Sequence, residues 1–118
     1  VADNRSAGNA RLSINMSHTS GVRVVTACGE IDLDSAPQLL DALTADDAAA
    51  QVTVVDLSGT FMDSSGINAL IAAHHAAQRH GGRLRLAAPS PAVSETLGIV
   101  GLTEVIPCHP TLRDALAV

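Results

Sequence analysis

The apolar residues of this chain change their spacing repeatedly, from every second position to every third or fourth and back. A period of two buries one face of a strand, and a period near 3.6 buries one stripe of a helix. "RLSINMS", Arg11 to Ser17, puts Leu12, Ile14 and Met16 on one face and reads as a half-buried strand. "HTSG", His18 to Gly21, is a turn signal, and Val22 to Ile31 is a second, β-branched run interrupted by Gly29, so the two predict a hairpin. Ser35 to Ala50 carries Ala36, Leu39, Leu40 and Leu43 at helical spacing. Ser35 with Gln38 matches a capping box, and Pro37 falls in the first turn, where a missing N–H costs little. Val52 to Leu57, "VTVVDL", is the nearly continuous apolar run expected of a central strand. Residues 64–80 turn helical again, with Ile67, Leu70, Ile71 and His74 on one stripe and Gly81-Gly82 as a stop. "RLRLAA" (83–88) predicts a fourth strand. Ser90 before Pro91 opens a short helix, "EVIP" (104–107) predicts a fifth short strand, and Pro110 to Ala117 a last helical turn or two.

The order is β, β, α, β, α, β, α, β, α. Strands alternating with helices predict an α/β fold: a mixed, mainly parallel sheet of about five strands with about four helices and right-handed crossovers. The first strand enters antiparallel through its hairpin. A length of 118 residues fits one domain. Residues 1–10 are polar and aperiodic and read as a loose N-terminal arm, with the domain over 11–118. Partners of such sheets meet loops beyond the carboxyl ends of the strands. The pattern offers two, Glu30 to Ser35 and Ser58 to Ser65.

With 47% hydrophobic and 16% charged residues the chain reads as globular, and with Phe61 its single aromatic the core must be aliphatic. A net charge of −5, carried against seven arginines and no lysine, leaves no electrostatic footprint for nucleic acid, and stacking aromatics are missing too. No apolar run nears the roughly 20 residues of a membrane span. No charged-then-apolar leader opens the sequence, so a cytoplasmic location is expected. Cys28 and Cys108 lie far apart without CxxC spacing. They read as buried thiols in a reducing compartment, with a disulfide left open.

The stretch with the most polar chemistry is "FMDSSGINAL", Phe61 to Leu70. An acid and two serines before a helix are ordinary N-caps. A hydrolase elbow would read GxSxG, which is absent, and nothing ties any of the five histidines to a serine. Two features exceed capping: there are more polar side chains than one cap needs, and Gly66 permits close approach of another molecule. A hydroxyl at a helix N-terminus also carries phosphate well, because free N–H groups and the helix dipole favour an anion. Glu30, Asp32 and Asp34 alternate at the end of the second strand. A solvated acidic loop is the plain reading, and a metal site or shared proton the sharper one. His74 and His75 point about 100° apart on a helix, and neither HExxH nor a P-loop occurs, so no metal site and no cofactor are expected.

"FMDSSGINAL" resembles the signature of anti-sigma factor antagonists of the bacterial STAS-domain family. "GEIDLDSAPQLLDAL" is similar to that family's Gly-Glu-(apolar)-Asp segment with its following helix, and "GGRLRLAAPSPAVSETLGIVGLTEVIP" to its later strand, short helix and final strand. The resemblance covers about residues 11–117. It implies a switch protein rather than an enzyme. Such a chain binds an anti-sigma factor, usually a GHKL-type serine kinase, and so frees a sigma factor for RNA polymerase. The kinase phosphorylates the second serine of the motif, here Ser65 with Ser64 as runner-up, and a phosphatase resets it. Carried over by motif, the partner surface comprises Asp63, Ser64 and Ser65 with Glu30 and Asp32. Asn68, one turn into the helix and off the apolar stripe, is added by spacing. Alternatives remain: a STAS subunit of a lipid-transport complex, part of a sensor assembly, or a small nucleotide-binding protein or enzyme.

Overall fold

A computed structural model describes residues 12–45 and 51–117. The arm expected over residues 1–10, the start of the first strand at Arg11 and the final residue lie outside the described residues. In chain order the elements are β1 (Leu12–Thr19), β2 (Val22–Ile31), α1 (Ala36–Thr44), β3 (Val52–Met62), α2 (Ser64–Arg79), β4 (Arg83–Ala87), α3 (Pro91–Ile99), a 3-10 turn (Leu102–Glu104), β5 (Cys108–His109) and α4 (Leu112–Ala117). The sheet runs β1-β2-β3-β4-β5, with β1 antiparallel to β2 and the other pairs parallel.

β1 and β2 join through Ser20 and Gly21, both at positive φ, with Thr19 paired to Val22. Two such residues give a tight hairpin whose twist matches the strands. His18 and Thr19, expected in the turn, therefore belong to the strand. The helix expected to reach Ala50 is described to Thr44, with Ala45 as its C-cap, and residues 46–50 lie outside the described residues. Its capping box does not form. Ser35 has a helical backbone and makes no cap hydrogen bond, because its hydroxyl is turned back to the carbonyl of Glu30 at 2.8 Å.

The core is aliphatic. Val25, Leu39, Val55, Leu57, Leu70, Leu86, Leu97 and Ile106 are fully buried between the sheet and the helices of one face. The second face carries a small cluster of Val54, Ala87 and Ala115, with Val22 and Val52 packed beside it. Short α4 supplies that cover and reaches only the amino-terminal half of β2 and β3. Cys28, expected buried, is exposed for this reason: it stands on the second face beyond α4. Both cysteines are free thiols, and burial pushes that of Cys108 up from its ordinary pKa.

Two further expectations shift. β3 runs to Met62 instead of ending at Leu57. Thr26 pairs with Asp56 but Cys28 with Gly59, so Leu57 and Ser58 together oppose Ala27. This is a bulge, and the Asp56 carboxylate accepts the Ser58 N–H at 3.0 Å within it. The extra residue flips the alternation. Phe61, on the helix face had the strand been regular, is carried to the open face, where it is 67% exposed. "EVIP" is not a strand either. The N–H groups of Val105 and Ile106 bond to the Leu102 carbonyl at 3.0 and 2.9 Å and are spent in the turn, so pairing starts only at Cys108.

Buried Arg23 was not singled out by the sequence. It is 4% exposed under the end of α1, and its guanidinium donates to the carbonyls of Leu43 (2.8 Å) and Ala45 (2.9 Å) and to Thr53 Oγ1 (3.2 Å).

Candidate functional site

β2 and β3 end side by side, with Glu30 paired to Phe61 and Ile31 to Met62. Each feeds a helix at once, so the amino termini of α1 and α2 share one end of the sheet. The loop expected over Ser58 to Ser65 reduces to Asp63. Its N–H donates to the Ile31 carbonyl at 3.2 Å, fixing it to the end of β2. Its backbone is extended, and its Oδ1 accepts the Ser65 N–H at 2.8 Å. Asp63 is thus the N-cap, and neither serine performs that task. Ser64 and Ser65 occupy the first turn, Ser64 exposed and Ser65 half-buried. Asn68, one turn on, is exposed.

Gly66 answers a packing need, which corrects its reading as a platform for another molecule. A Cβ there would lie 2.8 Å from Met62 Cβ and 3.0 Å from Ile31 Cγ2. The glycine lets α2 start directly against the ends of β2 and β3. Gly66→Ala is expected to lose about 1–2 kcal/mol: overpacking costs roughly 1–3 kcal/mol, and up to about 1 kcal/mol of helix propensity offsets it. Circular dichroism melts check this. An unchanged midpoint would mean that Met62 simply moves aside.

The acidic segment divides. β2 persists through Ile31, which places Glu30 on the strand, exposed, while Asp32 and Asp34 lie in the turn. Asp32 is half-buried and structural. Its Oδ1 accepts the N–H groups of Asp34 and Ser35, both at 3.0 Å, and Ser35 Oγ accepts the Asp32 N–H at 2.9 Å. This local knot replaces the missing capping box as the lead into α1 and corrects the reading of Asp32 as a solvated loop carboxylate. Asp32→Ala strands those N–H groups, and about 1–3 kcal/mol of stability should go. Asp32→Asn, which keeps the acceptor oxygen, should retain most of it. A melt of Asp32→Ala matching the parent would show the knot to be dispensable.

The structure thus brings Glu30, Asp32, Asp63, Ser64 and Ser65 to one end of the sheet, with Asn68 a turn along α2. It adds two residues that the sequence reading passed over. Leu33 is 77% exposed in the turn between Asp32 and Asp34, and Phe61 stands beside Glu30 on the open face. Regular alternation would have sent Phe61 to the core, and only the bulge, which the sequence pattern does not show, turns it outward. Among the described residues no group of three or more His, Cys, Asp or Glu is placed to hold a metal ion, and the rings of His74 and His75 stand 5.8 Å apart and tilted by 45°. No helix of the described residues is long and apolar enough to cross a membrane.

Comparison with known proteins gives a consistent answer. The STAS domain family model matches residues 13–115. The fold superposes on the crystal structure of an anti-sigma factor antagonist from Mycobacterium paratuberculosis with a TM-score of 0.82, at 33% identity, covering 96% of this chain and 97% of that one. An anti-sigma F factor antagonist of Paenibacillus polymyxa is 26% identical over 108 residues, 89% of this chain and 92% of the relative. At the level of fold, the phosphorylated form of the Bacillus cell fate determinant SpoIIAA matches with a TM-score of 0.67 at 19% identity, covering 89% of this chain and 97% of that one.

Proposed function

The chain belongs to the STAS-domain family, and from that premise we propose that it is an anti-sigma factor antagonist, which binds an anti-sigma factor and thereby releases a sigma factor. The observation that carries this reading is the two serines in the first turn of α2, relieved of capping by Asp63 and presented at the sheet end where β2 and β3 finish. Relatives named as antagonists match nearly the whole chain, which supports the same reading.

The partner is a serine kinase of the GHKL type, and it phosphorylates Ser65. The chain is ligand and substrate, not enzyme, and works in the cytoplasm, where a phosphatase resets it. The docking surface joins Glu30, Asp63, Ser64, Ser65 and Asn68, with Asp32 shaping the turn beside them. Exposed Phe61 and Leu33 give it the apolar anchors that interfaces favour over charge alone. Ser64 is the more exposed hydroxyl and Ser65 the half-buried one, so a kinase reaching Ser65 must engage the helix start closely.

The test is a pull-down with the full chain as bait, ATP and Mg²⁺ present, followed by mass spectrometry of the chain. A kinase-like partner and one added phosphate, absent from Ser65→Ala, are expected. A transport ATPase as partner, or modification that persists in Ser65→Ala, would overturn the proposal.

A further inference from the structure

We propose that β1 is a self-pairing edge, along which two copies of this chain associate reversibly and join their five-stranded sheets into one. The two edges of the sheet are built differently. On one side β5 is two residues long, set between Pro107 and Pro110, and β4 beside it carries Arg83 and Arg85. A very short strand, prolines and cationic side chains each discourage pairing with another chain. β1, on the other side, has none of these devices. It runs for eight residues, "LSINMSHT", with no Asp, Glu, Lys, Arg or Pro, and it pairs with β2 along its whole length without a bulge. Among the described residues no strand lies outside it, and Ser13, Asn15, Met16 and Ser17 are exposed. A long, regular, uncharged edge is a template for a further strand.

The hairpin decides which peptides the edge offers. Thr19 and Val22 close the tight loop as a hydrogen-bonded pair, and by alternation Ser17, Asn15 and Ser13 also bond to β2. The peptides of Ile14 and Met16 therefore turn to the outside of the sheet. A two-fold axis through Asn15 sets Ile14 of each copy opposite Met16 of the other, so that the two residues exchange N–H···O=C bonds in both directions. The same register suits the side chains. On the helix side, half-buried Ile14 meets Met16, which is 46% exposed. On the other side Asn15 meets its own amide, which is both donor and acceptor. Each copy has a net charge of −5, which opposes self-association, and β1 is a place of contact that adds no carboxylate to that repulsion. At about 3.4 Å per residue the edge is about 27 Å long. Pairing along it alone falls below the roughly 1,200 Å² of a stable interface, so the second copy is held weakly and leaves on dilution.

The experiment is sedimentation velocity of the full chain from about 10 µM to about 1 mM, a range that brackets weak association. Interference optics are used because the chain has no Trp or Tyr. The mass should rise with concentration towards twice that of one chain. In parallel, amide hydrogen exchange of the ¹⁵N-labelled chain should slow with concentration at Ile14 and Met16, while Ser13 and Asn15, bonded to β2 already, change little. Met16→Lys puts a charge on the edge, and Met16→Pro removes an outward N–H without touching the β2 ladder. Each, confirmed folded by circular dichroism, should weaken self-association about tenfold or more. Ile99→Lys, which places the same charge on an exposed apolar residue of α3, should associate as the parent does. So should Ser65→Ala, which separates this outcome from that of the partner experiment. A chain that stays monomeric to about 1 mM would overturn the proposal. So would a dimer that survives both Met16 variants, or protection of Ile14 and Met16 that does not depend on concentration, because the edge is then covered within one chain.

Discussion

Phosphorylation of Ser65 should leave the fold intact and weaken anti-sigma binding by roughly 30- to 150-fold, which corresponds to two to three kcal/mol. The modification adds about −1.5 to −2 charge at neutral pH. In the unbound chain that charge sits in the first turn of α2, where the dipole favours an anion by roughly 0.3–1 kcal/mol. Asp63 opposes it, because its carboxylate already holds the Ser65 N–H at 2.8 Å. The two effects leave little net change in stability. Inside an interface the phosphate must lose water, and desolvating an unpaired charge costs several kcal/mol. Ser65→Glu should imitate the modification in part, with less charge and fewer acceptors. Melting curves and calorimetric titrations of both forms check the pair of claims. A phosphorylated chain that unfolds would contradict the first, and one that binds like the parent would contradict the second.

Arg23→Ala is expected to be the most destabilising change of a polar residue in the molecule, by about 2–4 kcal/mol. Three acceptors lose their donor at once: the carbonyls of Leu43 and Ala45 at the end of α1, and Thr53 Oγ1. Each buried group left unpaired costs about 1–3 kcal/mol, though neighbours in one network do not add fully. The aliphatic stem is lost from packing as well. For a domain of this size the melting midpoint should fall by roughly 3–5 °C per kcal/mol. Arg23→Lys keeps the charge at the helix C-terminus but offers a point donor instead of a fork, and should fall between. Because Arg23 lies under the opposite end of α1 from Asp32, its loss should reduce stability without a specific effect on partner affinity. A melt of Arg23→Ala within a degree or two of the parent would refute the capping role.

Element order was legible because hydrophobic period is a local property. Val22 to Ile31 and the Pro91 helix stand where their patterns put them. Ser90 also caps as its sequence implies, its Oγ accepting the Val93 N–H at 3.3 Å. The double glycine closes α2 as read, with Gly81 at φ 75° and Gly82 N–H bonded to the Ala77 carbonyl at 2.8 Å. What escaped the pattern depends on neighbours distant in sequence. "SGTFM" is a poor strand alone and becomes one because β2 runs alongside it. Ser35 matches a cap motif, yet the Glu30 carbonyl and the Asp32 N–H compete for its hydroxyl and win. Gly66 looked like an opening to the outside and is instead filled by Met62 and Ile31. Arg23 reads as one charge on a strand, and only the arrival of α1 above it turns it into a buried clamp. At the candidate site, the motif placed two serines ahead of the apolar stripe of α2, while the hydrogen bonds by which Asp32 orders its turn and Asp63 caps the helix are not written in the pattern.

The most direct measurement is sigma release. A complex of the partner anti-sigma factor with fluorescently labelled sigma factor is titrated with this chain, unmodified or carrying phosphate on Ser65, and freed sigma is followed by anisotropy. The unmodified chain should displace sigma at concentrations comparable to the complex, and the phosphorylated chain should require roughly 30-fold more or greater, from the same affinity relation. Failure of the unmodified chain to displace sigma at any concentration, or equal displacement by the two forms, would contradict the switch.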